Sequence, residues 1–150
     1  MLGLNSLYTD VPYHNKIHHI GVEKAIIGML YEGEHDIWAA RGHYVLHTGT
    51  PRNGDEMIAA TVTTVILKVC NGLTNKDAEQ IEHRIIGTIF QKRGNVDDIQ
   101  APIADADLYA VGSPWEVYIK NAAKLFVEDC LSKGITSPTY KEIMNFWTDG

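Results

Sequence analysis

Four of the seven histidines fall into two pairs whose members are four residues apart: His14 with His18, and His43 with His47. In a helix this spacing places both imidazoles of a pair on one face, at a separation that suits a shared metal ion or phosphate group. The same spacing also arises by chance among surface histidines and hydrogen-bonded core histidines. The two pairs are therefore candidate ligands, and a further element is needed to strengthen that interpretation.

A third element lies late in the chain, in Ile103-Ala104-Asp105-Ala106-Asp107-Leu108. Asp105 and Asp107 stand among small and apolar residues, where a buried carboxylate is unfavourable unless a cation or hydrogen-bond donors receive it. The alternative is that both side chains project to solvent or cap a turn after Pro102. The pattern favours a partner for these carboxylates, and the histidines are candidates.

Helices are the elements that would position these residues, since apolar residues recur at helical spacing between short Gly, Pro and Asn breaks. The chain is predicted to be all-α, a single-domain compact helical bundle of about six or seven helices over residues 1–150. The β-branched run from Thr61 to Ile66 could form a strand in isolation, but its length and its helical neighbours favour a helix. The predicted helices run from about His14 to Tyr31, from a cap at Asp36 to about His47, from Met57 to Cys70, from Thr74 to near Gly94, from Ser113 to about Ser132, and from Ser137-Pro138 to the C-terminus.

Capping residues support three of these helix starts. Asp36 is a predicted N-cap, Thr74 and Asp77 resemble a capping box, and Ser113 precedes a proline at the first helical position. The two cysteines, Cys70 and Cys130, lie in apolar helical patterns and are predicted to be small buried hydrophobic residues.

Composition limits the class of partner. Apolar residues make up 45% of the chain and charged residues 21%, which is typical of a folded domain. The net charge of -6 gives no basic field for nucleic acid or an anionic lipid surface. Residues Met1 to Asp10 lack a secretion signal and no apolar run approaches the ~20 residues that span a bilayer, so we expect a cytoplasmic protein that binds no membrane.

Four segments together resemble one group of the HD-superfamily metal-dependent phosphohydrolases. Tyr13-His14-Asn15-Lys16-Ile17-His18-His19-Ile20-Gly21-Val22 is similar to their opening Tyr-His-Asn motif, which leads to a metal-binding His at the position of His18. Ala39-Ala40-Arg41-Gly42-His43-Tyr44-Val45-Leu46 resembles their second metal segment, and Asn53, Asp55 and Glu56 resemble the polar-acidic segment after it. Asp105-Ala106-Asp107-Leu108-Tyr109-Ala110-Val111-Gly112-Ser113-Pro114-Trp115-Glu116-Val117-Tyr118 is close to their last motif, whose second Asp usually binds metal.

The sequence departs from the family pattern at two positions. The His-Asp dipeptide that names the family is here His43-Tyr44, and a neutral phenol does not replace a carboxylate that bridges two cations. The family's Thr-x-x-His pattern is reduced to Thr88-Ile89-Phe90-Gln91. A literal His35-Asp36 also occurs, but its position directly after a glycine break favours a helix cap.

The resemblance implies that His18, His43 and Asp107 hold one divalent metal per chain, with His14, His47 or Asp105 as possible additions. Two imidazoles and a carboxylate suit a transition metal, although Mn, Ni, Co, Fe, Zn and Mg are not distinguished. Asp55 or Glu56 would orient or deprotonate a metal-activated water, unless they are simply first-turn acids that the helix dipole favours. Gln91, Lys92 and Arg93 would receive a substrate phosphate, unless the two basic residues only stabilise a helix C-terminus.

The leading hypothesis is a phosphohydrolase that acts on a nucleotide or another small phosphorylated metabolite. A homo-oligomer is one of the assemblies that the sequence leaves open. The main alternative is a degenerate HD-like domain that binds a ligand or a protein without turnover, as Tyr44 and Gln91 suggest. A purely structural helical domain is the third hypothesis. Aromatic residues at helical spacing are predicted to form core or a protomer interface, with a nucleobase platform as the alternative; they are Trp115, Tyr118, Phe126, Phe146 and Trp147.

Overall fold

Seven helices form the regular structure in the computed structural model, which describes residues 4, 6–29, 33–48, 54–89 and 94–149. Within those residues no strand occurs, and Tyr8 and Val45 form an isolated antiparallel bridge. The predicted all-α bundle is therefore confirmed. The helices are α1 (Lys16–Gly28), α2 (Glu34–Gly42), α3 (Gly54–Asn71), α4 (Asn75–Ile86), α5 (Ala101–Asp107), α6 (Trp115–Ser132) and α7 (Tyr140–Asp149).

The main hydrophobic core lies between helices α1 to α5, each of which contributes two buried apolar residues. Burial of such side chains stabilises the fold by about 1.5–3 kcal/mol each for the larger ones. None of the described helices has the length and apolar character needed to cross a membrane. The core residues are Val22 and Ile26, Ala39 and Ala40, Ala60 and Leu67, Ile81 and Ile85, and Ile103 and Ala106.

Helix α1 starts two residues later than predicted because Asn15 is its N-cap. The Asn15 side chain accepts hydrogen bonds from the backbone N–H groups of Ile17 and His18, which satisfies donors that the first helical turn leaves open. The helix ends at Gly28, and the predicted end at Tyr31 lies outside the described residues. His14 thus precedes the helix, while His18 lies within its first turn.

Helix α2 differs from the prediction at both ends. Its N-cap is Gly33, and the predicted cap Asp36 instead accepts a hydrogen bond of 2.7 Å from Arg84 Nε on α4. The helix ends at Gly42 rather than near His47. At Gly42 the backbone approaches α3 so closely that an added Cβ would lie 2.4 Å from Thr63 Cγ2, and Thr63 Oγ1 donates to the Gly42 carbonyl. This contact sets the position of the residues that follow α2.

The β-branched run is helical, as predicted, within α3. Thr74 caps α4 by accepting from the Asp77 N–H, and its hydroxyl donates to Asp77 Oδ2, so the predicted helix start is confirmed. The predicted end of this helix near Gly94 is wrong, since α4 stops at Ile86. Gln100 packs against the backbone at Gly87 and donates through Nε2 to the His83 carbonyl, so a side chain from the next element satisfies the helix terminus.

Helices α6 and α7 begin differently from their predicted starts. The Ser113 side chain donates to the Tyr109 carbonyl and makes no cap for α6, whose N-cap is Pro114. Thr139 and Glu142 form a reciprocal capping box for α7, one residue after the predicted Ser137-Pro138 start.

The aromatic residues of these two helices do not form the main core. Trp115 is 67% exposed, whereas Phe126 on α6 contacts Phe146 on α7 with ring centroids 5.0 Å apart. Cys130 is buried, as predicted, but Cys70 is exposed because it lies at the end of α3 beyond the core.

His19 makes the stability of the fold depend on pH. Burial lowers the pKa of His19 to about 4, against about 6.5 for an unfolded histidine. The folded protein therefore keeps a neutral imidazole where the unfolded chain takes up a proton, so this stabilisation is present above pH ~6.5 and declines as the pH falls towards 4.

We expect His19 to account for a loss of about 2 kcal/mol in unfolding free energy between pH 7.5 and pH 5. Urea denaturation of metal-free wild type and His19→Gln at both pH values measures it. The variant starts from a lower stability because it loses the contacts of the ring with Tyr8 and Ala40, but its pH dependence should be shallower. Parallel pH dependences in the two proteins would contradict the assignment.

Candidate metal centre

The two predicted histidine pairs do not act as pairs on helical faces. His14 precedes α1 while His18 lies inside it, and His43 is the C-cap of α2 while His47 lies beyond it. The chain regroups them into two clusters. The Asp107 cluster comprises His18, His43 and Asp107, and the Glu128 cluster comprises His14, His47 and Glu128; in each cluster one ligand atom per residue lies within 4.8 Å of the others.

The Asp107 cluster is buried and joins three helices. His18 Nε2 lies 3.1 Å from Asp107 Oδ1, and His43 Nε2 lies 3.7 Å from the same oxygen. Ligands that share an ion at bond lengths near 2.1 Å are separated by roughly 3.0–3.4 Å. The three side chains are therefore close to the arrangement that a single ion requires.

His43 has an oriented ring and an unsatisfied nitrogen. Its Nδ1 donates a hydrogen bond of 2.8 Å to the Ala40 carbonyl, which directs Nε2 towards Asp107. His43 is 0% exposed, and its Nε2 has no hydrogen-bond partner. A buried ring nitrogen without a hydrogen bond is unfavourable, and a histidine whose outer nitrogen bonds to a backbone carbonyl is typical of a metal ligand.

The electrostatics of the Asp107 cluster favour an anionic carboxylate beside a neutral His18. Burial alone raises the pKa of Asp107, but the hydrogen bond with His18 and the nearness of His43 outweigh it and hold that pKa well below its ordinary value. Burial lowers the pKa of His18 despite the opposing effect of Asp107. The second nitrogen of His18, Nδ1, is also buried without a hydrogen-bond partner.

Tyr44 stands where the resemblance expects the aspartate of the His-Asp dipeptide. Its hydroxyl donates a hydrogen bond of 2.6 Å to Asp107 Oδ1. Its ring lies between the clusters, with centroids 4.7 and 4.0 Å from the rings of His18 and His43, and 4.5 and 5.0 Å from those of His14 and His47. Tyr44 thus orients the carboxylate of one cluster and separates it from the other.

The Glu128 cluster is organised by a carboxylate on α6. Glu128 Oε2 accepts hydrogen bonds from the backbone N–H groups of Tyr13, at 2.7 Å, and His14, at 2.9 Å, while Oε1 pairs with His14 Nδ1. The pairing with His14 outweighs the raising effect of burial, so the pKa of Glu128 lies below its ordinary value. The rings of His14 and His47 are 4.1 Å apart between centroids, and burial lowers the pKa of His47 to about 4.

A chain reversal at Leu46 brings His47 back towards His14. Leu46 has φ 59, a left-handed conformation that is uncommon for a residue with a side chain. Its backbone N–H donates to the Leu7 carbonyl, and the Thr9 hydroxyl donates to the His47 carbonyl. The N-terminal segment therefore holds the reversal, and with it the position of His47.

The two candidate catalytic carboxylates have different surroundings. Asp55 Oδ2 accepts hydrogen bonds from the backbone N–H and the hydroxyl of Thr48 and lies 3.4 Å from His47 Nδ1. These contacts hold the Asp55 carboxylate against the segment that follows α2. Glu56 Oε2 is buried without a hydrogen-bond partner. Burial, with the charges of Asp55 and Asp107, raises the pKa of Glu56. Glu56 is thus the carboxylate that remains available for proton transfer.

The other sequence candidates are placed elsewhere or are not described. Asp105 is exposed on α5 and does not join either cluster. Gln91, Lys92 and Arg93 lie outside the described residues, as does Asn53. His35 pairs with Asp77 at 3.1 Å, and Asp36 pairs with Arg84, so the literal His-Asp dipeptide is engaged outside the two clusters.

Sequence reasoning missed Glu128. Lys124 lies four residues earlier in α6, and this spacing is typical of an exposed ion pair on a helix surface. Glu128 is nevertheless 3% exposed. No local signal distinguishes it from a surface residue, because its partners are more than a hundred residues away in the chain.

Comparisons with known proteins add no relative: no protein-family model, no curated protein and no solved structure matches the chain. The chemistry of the two clusters is therefore the basis on which a function can be argued.

Proposed function

We propose that this protein is a metal-dependent phosphohydrolase of the HD type, with one divalent transition metal held by His18, His43 and Asp107. The observation that carries the proposal is the unsatisfied Nε2 of fully buried His43, which faces Asp107 Oδ1 across 3.7 Å. A cation between the two atoms would give Nε2 the partner that it lacks, and two imidazoles with a carboxylate leave coordination positions open for water and substrate.

Each side chain has a role that follows from its contacts. A metal at this position would polarise a phosphoryl oxygen and lower the pKa of a bound water. Tyr44 orients Asp107 through its hydroxyl, and Ala40 orients His43 through its carbonyl. Glu56 accepts the proton of the attacking water, since its Oε2 is buried without a donor and burial raises its pKa. The proposed substrate is a small phosphorylated molecule such as a nucleotide, with Gln91, Lys92 and Arg93 as candidate phosphate contacts.

Phosphate release from a panel of nucleotides and phosphorylated metabolites tests this function directly. Protein without a histidine tag, loaded with Mn²⁺, Co²⁺ or Ni²⁺, should release phosphate from at least one member of the panel. Chelation should abolish the release, and the same metal should restore it. The His43→Ala variant is the matched control, because it removes the unsatisfied nitrogen on which the proposal depends. Activity that survives both chelation and His43→Ala would contradict the proposal.

A catalytically degenerate module is the second candidate function, and Tyr44 is the observation that favours it. The Tyr44 hydroxyl donates to Asp107 Oδ1. The aspartate that the family has at this position would instead bind a second cation beside the first, which a neutral phenol does not do. In this case His18, His43 and Asp107 would still bind a metal, but no member of the panel would be hydrolysed.

The Tyr44→Asp variant tests the resemblance to the HD family. A carboxylate at this position should raise metal affinity or phosphate release by about 10-fold or more, because an anionic ligand replaces a neutral phenol. Tyr44→Asn is the control, since asparagine has the size of aspartate without its charge. Metal titration and phosphate release are measured on all three proteins. Equal behaviour of the Asp and Asn variants would count against the alignment of Tyr44 with the family aspartate.

A further inference from the structure

The Glu128 cluster has no role in the proposed hydrolytic site, and we propose that it is a second cation site. His14, His47 and Glu128 would bind a divalent transition metal that shares no ligand with the Asp107 cluster. The inference does not depend on the proposed phosphohydrolase activity, because it follows from the contacts of these three side chains.

The burial of Glu128 is the first observation. On α6, Glu128 and Cys130 are the buried residues, whereas the apolar side chains of Leu125, Val127 and Leu131 are exposed. A helix that turns a carboxylate inward and leaves apolar groups in water reverses the usual preference of these side chains. The inward carboxylate therefore fits a ligand better than a surface residue.

The hydrogen bonds of Glu128 divide its two oxygens between the backbone and His14. Oε2 is held by the two backbone N–H groups of Tyr13 and His14, which fix the orientation of the carboxylate. Oε1 pairs directly with His14 Nδ1, and a cation would replace the shared proton as the ring and the carboxylate move apart. His47 completes the set with a ring centroid 4.1 Å from that of His14. Outer hydrogen bonds that fix a carboxylate ligand in this way are common in metal sites.

The charge of the whole region also calls for more than one cation. Four carboxylates meet here, from Asp55, Glu56, Asp107 and Glu128, and the ion pairs that they make with described residues involve histidines. Arg41 and Arg84 form ion pairs with Glu23 and Asp36 instead. Glu56 lies near Asp107, whereas Glu128 belongs to the other cluster, where a second cation would compensate its charge.

Tyr44 lies between the carboxylates of the two sites, although the rings of His14 and His18 also contact each other at 5.7 Å between centroids. The Tyr44 ring contacts histidines of both clusters, and its hydroxyl is directed to Asp107. With the ring between them, neither carboxylate bridges the clusters. Loss of one site should therefore leave the other able to bind its metal. The donor set of imidazole and carboxylate selects a borderline metal such as Mn²⁺, Co²⁺, Ni²⁺ or Zn²⁺.

Metal stoichiometry tests the inference. The full chain without a histidine tag is titrated with Co²⁺, and bound metal is measured by visible absorption and by elemental analysis after dialysis. Wild type should bind about two ions per chain, and Glu128→Gln should bind about one, with an affinity for the second ion reduced more than about 100-fold. Glutamine can still accept from the Tyr13 and His14 N–H groups, so the variant retains those bonds. Glu116→Gln, an exposed glutamate on the same helix, is the matched control and should bind as wild type does.

Each outcome separates this inference from the proposed function. Wild type that binds one ion, lost in Asp107→Asn and unchanged in Glu128→Gln, would overturn the second site and leave the phosphohydrolase proposal standing; Glu128 would then only orient His14. Two ions in a protein that hydrolyses no phosphorylated compound would support the second site and reject the activity. If Glu128→Gln fails to fold by circular dichroism, His47→Asn leaves the bonds of Glu128 intact and gives the same readout.

Discussion

Substitution of Asp107 by asparagine should remove the metal from the Asp107 cluster and abolish phosphate release. Asparagine keeps the shape of the side chain and can still accept from the Tyr44 hydroxyl at the position of Oδ1. It carries no negative charge to attract a cation between His18 and His43. Changes in residues that only orient a ligand weaken metal binding by about 10–100-fold, so loss of the charged ligand itself should exceed about 100-fold.

The chain offers a close control two positions earlier. Asp105 lies on the same helix, is exposed and does not join either cluster. Asp105→Asn therefore changes the net charge and the helix in the same way without changing the site. Calorimetric metal titration and phosphate release should give wild-type values for Asp105→Asn and large losses for Asp107→Asn. Similar values for the two variants would reject Asp107 as a ligand.

Substitution of Glu56 by glutamine should lower kcat by about 10²–10⁴-fold while metal binding persists, because a general base contributes on that scale. The carboxylate is not one of the three proposed ligands of either cluster, so its loss should act on proton transfer. Steady-state phosphate release and metal content, measured on the same preparation, separate the two effects. A Glu56→Gln protein with a wild-type rate would eliminate Glu56 as the base.

The stability of Glu56→Gln distinguishes a functional carboxylate from a structural one. The raised pKa of Glu56 means that the folded state favours the protonated form; stability from this group is present below its unfolded pKa and is lost as the pH rises through the folded value. At neutral pH an ionised Glu56 is therefore destabilising. Thermal unfolding of the metal-free variant should show a Tm equal to or above that of wild type. A structural glutamate would show a lower Tm on substitution.

If a metal site lies on either side of Tyr44, the replacement of the family aspartate by tyrosine separates two cations rather than removing one. A bridging carboxylate couples two cations, whereas a tyrosine ring keeps them apart and holds one carboxylate by a hydrogen bond. The comparison of Tyr44→Asp with Tyr44→Asn, made on protein of known metal content, then reports whether coupling the sites increases hydrolysis.

Local sequence determined most of the helical structure. The apolar periodicity of the Met57 to Cys70 run outweighed its β-branched residues, and Thr74 with Asp77 marked a helix start at the residue where the helix begins. These features depend on interactions within a few residues, between neighbouring turns or between a cap and the first turn. The convergence of His18, His43 and Asp107 was also anticipated, although through resemblance to a family rather than through periodicity.

Tertiary structure alone decided how the histidines are shared between the two clusters and that Glu128 belongs with them. A spacing of four residues predicts a common face only if both residues lie in one helix. The Asn15 cap leaves His14 outside α1, and the end of α2 at Gly42 leaves His43 as its C-cap and His47 beyond it. Glu128 joins His14 across more than a hundred residues of chain, and Leu46 turns His47 towards them. Such contacts depend on where separate elements dock, and no local pattern of residues encodes that docking.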